Sequence, residues 1–595
     1  MSPARAMPSV PLAAWALFAL LAASGLATSE AAYDPNAPKL VWAFALLGSA
    51  LAAHALALGL GRAGIPRARH SDGWVLAAFA AATLCALVSD YPWFAAPALR
   101  DAALAVLAYG SARFAFAGGR VAPLLDRTLA GLTGVACLYG LARLLDPAAP
   151  WLVAPGGWHV RRLTSTLGNQ DTFAAWLLIA LPFIMRGHTH SRRWRPAWAV
   201  AGLLAVVCLA LTVSRAAWIA FAVQAAAWRL GGRARRRLPL RLFAAAALAA
   251  VAVLAVLPGL TAKLGSASTF RQRLVIWDAS ARMALARPFT GHGPGAFGAA
   301  FPEFRSPDYR ASGLSDVNEF AHDLPLHVAA TGGIAGLLAL ALGLVVLVRE
   351  AGVGGSSGRS TEPEAAPHSL AILGVLVQNL FSVTLCVTPI VATLAVVWGA
   401  AEDDAPPATP ARSPVACAAL LMLAMAAAWG ATSAGRDFAA LCHLRSARLA
   451  IDEGLSSGGF GWEPGAIREL EGALAARPGC VPARYRLAGV RALSGDLPRA
   501  LASYIMVEAL SPGFAELPRN RAEVSFAAGA LDAARKQARR WHDMNRRDPA
   551  GPVLMAKVEL AAGNHAAARE NALLAKDLGA PGPAVEALLE ALRVP

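Results

Sequence analysis

The stretch DLPLHVAATGGIAGLLALALGLVVLV at residues 323–348 decides the fold, because after its first residue His327 is its only titratable side chain. A helix of about 20 apolar residues crosses the roughly 30 Å hydrocarbon core of a bilayer. Similar runs lie near residues 9–27, 39–60, 74–90, 95–117, 121–145, 172–187, 197–213, 214–230, 240–259, 369–386, 388–401 and 414–433. We therefore predict an all-α, polytopic membrane domain with about 13 spans.

Composition divides the 595-residue chain into two regions. Hydrophobic residues make up 56% of the chain and charged residues only 15%, against roughly 25% in soluble domains. The long apolar runs stop near residue 435. We predict a membrane domain over residues 1–435, whose first run is a span and not a cleaved signal peptide, and a globular domain over residues 436–595.

Arginine is distributed unevenly among the loops. Arginine-rich loops alternate with arginine-poor ones, and the positive-inside rule assigns the rich loops to the cytoplasm. The rich loops carry Arg62, Arg67, Arg69, Arg113, Arg120, Arg186, Arg192, Arg193, Arg195, Arg229, Arg233, Arg235, Arg236, Arg237 and Arg241. The loops at residues 28–38, 91–94, 146–171 and 260–322 then face the periplasm of a bacterial inner membrane. This topology explains the net charge of +16 without nucleic-acid binding.

The same count of spans places the C-terminal domain. Thirteen crossings that start from a cytoplasmic N-terminus end with residues 436–595 in the periplasm. That conclusion depends on two spans between residues 369 and 401.

An internal repeat runs through the C-terminal domain. Small residues recur in three series at intervals of 34 residues. The series are Gly461, Gly495, Gly529 and Gly563; Ala466, Ala500, Ala534 and Ala568; and Gly454, Ala488, Ala522 and Ala556. This interval is the tetratricopeptide (TPR) period, so we predict a TPR-like α-solenoid whose concave face binds a protein partner. An alanine-rich bundle without such a register is the alternative.

Four outward-facing segments carry polar residues suited to chemistry. They contain, in order, Arg161, Arg162 and TLGN at residues 166–169; Ser214 and Arg215; Arg271, Arg273 and Trp277 with Pro288, Gly291 and Gly293; and Glu319, Ala321, His322 and Asp323. The last segment is followed by the glycine-rich span at residues 323–348.

These segments resemble the O-antigen ligase and polymerase family of membrane glycosyltransferases. Members of that family show a TLGN-like segment, a Ser-Arg pair at a span end, an Arg-x-x-x-Trp, a Pro-x-x-Gly-x-Gly run and an Ala-His-Asn before a Gly-rich span. Here these are Thr166–Asn169, Ser214-Arg215, Arg273–Trp277, Pro288–Gly293 and Ala321–Asp323, with Asp323 in place of asparagine. The resemblance covers about residues 150–345 and implies glycan transfer from an undecaprenyl-diphosphate carrier to an acceptor hydroxyl.

The residue types suit that reaction on physical grounds. A departing lipid diphosphate needs fixed cations or a metal ion, and a guanidinium binds phosphate oxygens through two parallel hydrogen bonds. We assign Arg215 and Arg273 to the diphosphate. His322 is the predicted general base, because histidine with a pKa of about 6.5 is mostly neutral near pH 7. The predicted substrate-binding residues, with no metal and no cofactor, are Arg161, Arg162, Asn169, Arg271, Trp277 and Glu319.

Several of these residues have plainer interpretations. Arg215 would extend from a span end to the membrane interface, and the arginines assigned to substrate binding would be interfacial charges. His322 would cap the start of a span, and the base would then be His292 or His327.

Three further interactions between these residues stay open. Glu319 would orient the imidazole of His322 if the following helix begins early. A metal site built from His292, His322 and Glu319 is a further alternative. Cys442 and Cys480 are the pair of cysteines best placed for a disulfide.

The acceptor distinguishes three enzymes with one chemistry. A lipid A core sugar makes the protein an O-antigen ligase, which we rank first; a growing glycan makes it a polymerase; and a Ser or Thr of a protein makes it an O-oligosaccharyltransferase. The repeats favour a protein acceptor or partner. A transporter of the lipid-linked glycan, or a scaffold anchored in the membrane, are the alternatives from other classes.

Overall fold

The structure is a computed structural model and describes residues 11–29, 31–34, 36–116, 121–145, 163–230, 267–307, 309–310, 318–350, 367–401, 413–458 and 461–592. Within these residues the chain is helical and contains no β-strand, which confirms the all-α prediction. The predicted span near residues 240–259 and the candidate residues Arg161 and Arg162 lie outside the described residues.

The first part of the chain forms a bundle of helices. Before residue 231 they are α1 (Leu12–Leu26), α2 (Ala37–Gly59), α3 (His70–Leu87), α4 (Pro92–Ala115), α5 (Ala122–Leu145), α6 (Gln170–His190), α7 (Arg195–Leu211) and α8 (Arg215–Leu230). After residue 266 they are α9 (Ala267–Ala286), α10 (Phe297–Ala300), α11 (Leu324–Glu350), α12 (Pro367–Asn379), α13 (Thr388–Gly399) and α14 (Pro414–Ser457). Short 3-10 turns lie at Ser165–Leu167, Phe301–Glu303 and Thr384–Cys386.

Local sequence sets where several of these helices begin. Pro92, Pro389 and Pro414 lie in the first turns of α4, α13 and α14, where a missing N–H costs no helical hydrogen bond. Ser413 caps α14, because its Oγ accepts a 3.3 Å hydrogen bond from the amide of Ala416.

Several helices of the bundle are suited to a membrane. Five are long and apolar enough to cross one: α2, α3, residues 123–145 of α5, α11 and α14. The apolar helices α1, α7 and α13 are shorter. The chain is therefore a membrane protein, and the count of thirteen spans remains a prediction.

Contacts between helix ends define two ends of the bundle. Trp398, near the end of α13, donates a 3.2 Å hydrogen bond to Glu350 at the end of α11. This is the arginine end, because Arg69, Arg113 and Arg186 belong to the helix ends and loops gathered there. The opposite end, where residues 163–170, 297–307, 309–310 and 318–323 lie, is called the loop end below.

The helices α12 and α13 are an antiparallel pair. His368, at the start of α12, packs against Phe183 near the arginine end. At the other end of α12, Gln378 donates a 2.8 Å hydrogen bond to the carbonyl of Asp171 at the loop end. The return helix α13 then leads back to Trp398. The two helices have 13 and 12 residues, or roughly 20 Å each, so they run to the loop end and back. The two membrane spans predicted there stay a prediction.

The helix α14 joins the two parts of the chain without a linker. It has 44 residues, or roughly 66 Å, and packs along α2 before it enters the C-terminal region. The domain boundary predicted at residue 435 therefore falls inside a continuous helix.

The C-terminal region, called the repeat unit below, is an array of helix pairs. The helices are α15 (Glu463–Ala476), α16 (Val481–Leu493), α17 (Leu497–Leu510), α18 (Leu517–Ala527), α19 (Leu531–Met544), α20 (Ala550–Ala561), α21 (His565–Asp577) and α22 (Gly582–Ala591). Each packs mainly on its neighbours in sequence. The glycines of the 34-residue series all have positive φ, from 74° to 89°, and turn the chain between helices. The TPR-like assignment remains a prediction, while the predicted disulfide is wrong, because Cys442 and Cys480 are free.

Candidate active site

Two of the predicted site segments meet at the loop end through Asp171. The helix α6 is central to the core, with every residue from Phe173 to Ile184 buried, and Asp171 lies in its first turn. Ser214 Oγ donates a 2.6 Å hydrogen bond to Asp171 Oδ1. Asn169 caps the helix, because its Oδ1 accepts a 2.7 Å hydrogen bond from the Asp171 amide. Asp171 therefore joins the TLGN segment to the Ser-Arg pair.

A buried lysine that the sequence pattern did not reveal holds the TLGN segment. Lys39, in the first turn of α2, is only 1% exposed. Its Nζ donates 2.8 Å hydrogen bonds to the carbonyl of Thr166 and to Asn36 Oδ1, and Asn36 Nδ2 donates to the carbonyl of Leu167 at 3.2 Å. A charge buried in this way needs hydrogen-bond partners. The sequence gives one indication of this role. Lys39 is a basic residue beside the loop at residues 28–38, where the positive-inside rule leads us to expect few basic residues.

Backbone strain marks the same segments. In the described part of the chain, four residues other than glycine have positive φ, and three of them are Ser165 (51°), Val213 (55°) and His322 (56°). Each lies in or beside a motif segment. Such conformations cost roughly 1–3 kcal/mol and persist only where the surroundings enforce them, often at functional sites. The strain therefore motivates the hypothesis that these three segments form one site.

Arg215, Arg273 and His322 interact electrostatically around Asp171. Burial and the positive charge of Arg273 lower the pKa of His322, and Asp171 offsets part of this effect. Burial and Arg215 lower the pKa of Arg273, again against the influence of Asp171. The structure thus brings the three residues predicted for catalysis into one connected group. It adds Asp171, which the sequence analysis did not single out.

The group lacks the negative charge that would balance it. Among the described residues neither Arg215 nor Arg273 has a hydrogen bond or an ion pair, and Asp171 already accepts a hydrogen bond from Ser214. Arg215 is exposed and Arg273 is half-buried, so solvent screens part of their mutual repulsion and a bound anion would remove the rest. A diphosphate fits such a place, because its oxygens accept bidentate hydrogen bonds from guanidinium groups.

The start of α11 frees His322 from a capping role. The helix begins at Leu324, and Asp323 Oδ1 accepts a 2.8 Å hydrogen bond from the amide of Leu326. Asp323 is therefore the cap, and the interpretation of His322 as a cap is wrong. The early helix start that would bring Glu319 against the imidazole is also absent, so the orienting role for Glu319 falls away.

The loop at residues 260–322 is called the long loop below, and its glycine motif, Pro288–Gly293, packs against a break in α11. Gly333 has φ 57° and ψ −151°, which is not helical. Four backbone hydrogen bonds of 2.7–3.1 Å join residues 288–293 to residues 330–335. A Cβ at Gly291 would lie 2.5 Å from the nitrogen of Gly332, and one at Gly333 would lie 2.5 Å from the carbonyl carbon of Phe289. Only glycine permits this contact, which we call the glycine strap, and it fixes the long loop to the span that follows His322.

His292 belongs to the glycine strap. Its ring is buried, with Nε2 3.2 Å from the carbonyl of Met283, and burial lowers its pKa. The alternative metal site of His292, His322 and Glu319 is not formed, since the described residues contain no group of three or more His, Cys, Asp or Glu arranged to hold a metal ion.

The helix α9 presents its polar residues on different sides. Trp277 lies one turn after Arg273 and shares its face, whereas residues two positions apart point in different directions. Arg271 is exposed and forms no hydrogen bond or ion pair with another described residue. Its predicted role in substrate binding stays a prediction.

A cavity of about 1680 Å³ lies beside this group and runs along the membrane helices. Its walls are formed by α3, α4, α11 and α13, and Asn169, Glu319 and His327 line it at the loop end. Along α11 the lining extends from Leu324 to Leu347, roughly 35 Å of helix. The volume exceeds the roughly 300–1,000 Å³ of ordinary small-molecule pockets. A long apolar chain therefore has room beside the polar group.

The fold and the site together define a polytopic membrane protein with a positively charged, histidine-containing site at one end of its helical bundle. The family model described as O-antigen ligase matches residues 199–341 of this chain. The matched segment contains Ser214, Arg215, Arg273 and His322. The match shows that residues 199–341 are similar to an O-antigen ligase domain, and it supports a ligase- or polymerase-type function. No curated protein matches the chain.

Proposed function

We propose that the protein transfers a glycan from an undecaprenyl-diphosphate carrier to an acceptor hydroxyl on the periplasmic face of a bacterial inner membrane, as an O-antigen ligase does. The observation that carries the proposal is the group of Arg215, Arg273, Asp171 and His322 beside a long apolar cavity. The guanidinium groups suit a diphosphate, the imidazole suits a hydroxyl proton, and the cavity suits a polyprenyl chain.

The reaction is a displacement at the anomeric carbon of the donor sugar. His322 accepts the proton of the acceptor hydroxyl, whose oxygen bonds to the anomeric carbon on the face opposite the diphosphate. The bond between that carbon and the diphosphate oxygen breaks, and its electron pair leaves with the diphosphate, so the anomeric configuration is inverted. Asp171 stabilises the imidazolium that forms, and water later removes its proton.

The arginines supply the charge that the leaving group requires. Arg215 and Arg273 hold the diphosphate before the bond breaks and stabilise the additional negative charge that develops on it. This mechanism uses no metal ion and no cofactor.

Two related functions share this chemistry. A polymerase would extend a growing glycan, and a protein O-oligosaccharyltransferase would modify a Ser or Thr. Ligase-like transfer ranks first on the family match. A transporter is disfavoured, because the polar residues lining the cavity concentrate at the loop end and not at mid-span.

A transfer assay with purified protein tests the proposal. The donor is an undecaprenyl-diphosphate oligosaccharide, and the acceptors are lipid A core, a short glycan and a serine-rich protein, each with and without EDTA. Transfer to one acceptor that persists in EDTA is expected. His322→Asn is the inactive control, because asparagine tolerates positive φ but cannot act as a base. Transfer by this variant at the wild-type rate, or loss of wild-type transfer in EDTA, would contradict the mechanism.

A further inference from the structure

The repeat unit is docked against the long loop of the membrane unit. Arg310 forms an ion pair of 2.8 Å with Glu516 and another of 3.5 Å with Asp548. Ser511 Oγ donates a buried 3.2 Å hydrogen bond to the carbonyl of Ala299. The helix α10 and Arg310 thus contact the loops that join α17 to α18 and α19 to α20.

A second set of contacts holds Tyr33, in the loop between α1 and α2, beside the cavity. The amide of Tyr33 donates a 3.0 Å hydrogen bond to the carbonyl of Leu441 in α14. The guanidinium groups of Arg448 and Arg486 lie over the Tyr33 ring at 5.7 and 5.4 Å. The loop between α1 and α2 is therefore held by α14 and, through Arg486, by the repeat unit.

These contacts enclose the loop end of the cavity from two sides. The membrane unit contributes Asp34, Glu319 and Phe320 to its lining, and the repeat unit contributes Arg477 and Phe514. Burial and the negative charge of Asp34 raise the pKa of Glu319, while Arg477 acts in the opposite direction. Side chains from both units are therefore within electrostatic range of one another in the same space.

His327 gives an independent indication that a ligand belongs there. Its side chain is 7% exposed and lines the cavity, and its Nδ1 has no hydrogen-bond partner among the described residues. The ring packs against Phe297 and Phe320, with ring centroids 5.0 and 5.7 Å away. Leaving a buried polar atom without a partner is costly, and a ligand hydroxyl would remove that cost.

We propose that this space is a saccharide-binding subsite, that it takes the terminal sugar of the acceptor, and that the repeat unit forms one of its walls. The source of the sugar rests on the proposed glycan transfer. The carboxyl groups of Asp34 and Glu319 hydrogen-bond sugar hydroxyls, the rings of Phe320 and Phe514 offer apolar faces to sugar C–H groups, and His327 Nδ1 gains its missing partner.

The charges separate this subsite from that of the diphosphate. Among the described residues of the lining, the carboxyl groups of Asp34, Asp101 and Glu319 outnumber the one arginine, Arg477, and disfavour an anion. Arg215 and Arg273, which attract an anion, are not part of the cavity lining. An uncharged sugar is free of that repulsion. The donor diphosphate and the acceptor sugar therefore bind at different places beside His322. The sugar takes only the loop end of the cavity, and the apolar remainder between α3, α4, α11 and α13 stays available to the polyprenyl chain.

Binding by the purified full-length protein in lipid nanodiscs tests the subsite without requiring turnover. The probes are an array of phosphate-free bacterial oligosaccharides, with the strongest binder quantified by calorimetry, and undecaprenyl diphosphate without glycan. His327→Phe keeps the aromatic packing and removes Nδ1, and Phe514→Leu reduces the wall from the repeat unit. His327→Phe is expected to weaken oligosaccharide binding about 3- to 10-fold, as for loss of one net hydrogen bond. Phe514→Leu is expected to weaken it by a similar factor, about 3- to 10-fold, because the aromatic face is lost. Both variants should leave diphosphate binding unchanged.

Two control variants make the outcome specific. Arg499→Gln changes an exposed arginine of the repeat unit that pairs only with Asp496 among the described residues, and it should alter neither binding. Arg215→Ala should weaken diphosphate binding alone. Unchanged oligosaccharide binding in both test variants, or none in the wild type, overturns the subsite; weaker diphosphate binding in both assigns the space to the donor. Oligosaccharide binding that responds to His327→Phe in a protein without transfer activity would refute the proposed function and leave the subsite standing.

Discussion

His322 has to be neutral to accept a proton from the acceptor hydroxyl, and its surroundings favour the neutral form. Burial and Arg273 hold its pKa below the ordinary value near 6.5. We therefore expect the transfer rate to fall on the acid side with an apparent pKa below 6.5, so that activity is retained at pH values where a free histidine is largely protonated. The pH dependence of kcat/KM checks this.

Two substitutions should shift the acid limb, the fall of kcat/KM at low pH, in opposite directions. Arg273→Gln removes a positive charge and should shift the limb to higher pH, and Asp171→Asn removes a negative charge and should shift it to lower pH. The position of the limb is the readout, because both variants also lower the maximal rate. A limb that stays in place in both would mean that another group titrates.

The two arginines are expected to act on the donor. Arg273→Lys keeps the charge and loses the planar fork, so it should reduce donor binding and turnover clearly more than a point-charge description predicts. Arg215→Ala removes charged hydrogen bonds worth about 1.5–3 kcal/mol each, or roughly 10- to 100-fold in donor affinity. Titration with undecaprenyl diphosphate measures both. If Arg215→Ala binds undecaprenyl diphosphate with wild-type affinity, Arg215 is only an interfacial charge.

Residue types and order were enough to point to part of the site. The sequence predicted Arg215, Arg273 and His322, and the structure brings them into one group. The sequence did not predict the roles of Asp171, Lys39 and His327. Their roles depend on contacts between residues far apart in sequence, such as the bond from Lys39 Nζ to the carbonyl of Thr166, and no local pattern encodes those contacts.

At the scale of elements, the glycine strap explains why the long loop and the following span both carry glycines. Gly333 has positive φ and a Cβ there would meet the backbone of Phe289, whereas a Cβ at the adjacent Gly332 has its nearest neighbour 4.0 Å away, at Val328 Cγ1. We expect Gly333→Ala to lower the Tm in detergent and to abolish most of the transfer activity. The added methyl group combines backbone strain with a steric clash.

Gly332→Ala is the matched control for that variant. It adds the same methyl group one residue earlier in the same helix, and it should leave Tm and transfer close to wild type. Equal effects of the two substitutions would show that the loss comes from the helix and not from the strap.

Apolar run length predicted the helices well, because a bilayer imposes that length on every spanning segment. The described residues form helices at each predicted run except the one near 240–259, which lies outside them. Helix breaks were not predicted. Gly333 interrupts α11 inside an uninterrupted apolar run, since hydropathy does not register a contact with a second backbone.

For the whole molecule, the contacts place the repeat unit and the long loop at the same end of the bundle. From the arginine distribution we propose that this end faces the periplasm. A reporter fused after residue 592 should therefore behave as periplasmic, as should one inserted in the loop between α1 and α2. Opposite results at the two positions would contradict the fold, and a cytoplasmic signal from both would invert the topology.

The polar composition of residues 436–595 predicts a domain that is separable from the membrane part. In the structure the two parts are not separable in this way. The helix α14 continues across the boundary, and the repeat unit supplies part of the cavity wall. A truncation near residue 440 would cut this helix and open the cavity, so a point substitution is the better test of how the two units cooperate.

Arg310→Glu is that substitution. It places a carboxylate against Glu516 and Asp548, which now pair with Arg310, so the docking contact becomes repulsive. Because the repeat unit encloses only the loop end of the cavity, we expect a several-fold rise in KM for the acceptor and little change in the affinity for undecaprenyl diphosphate.

Arg519→Glu controls for the charge reversal. Arg519 pairs with the same Glu516 and with Glu523, but all three residues belong to the repeat unit, so this variant perturbs local charge without reversing a contact between the units. The acceptor KM should then stay near the wild-type value.

Limited proteolysis should cut Arg310→Glu faster between the units than either Arg519→Glu or wild type. If Arg310→Glu opens the interface by that measure and the acceptor KM does not change, the repeat unit is a docking module and forms no part of the acceptor site.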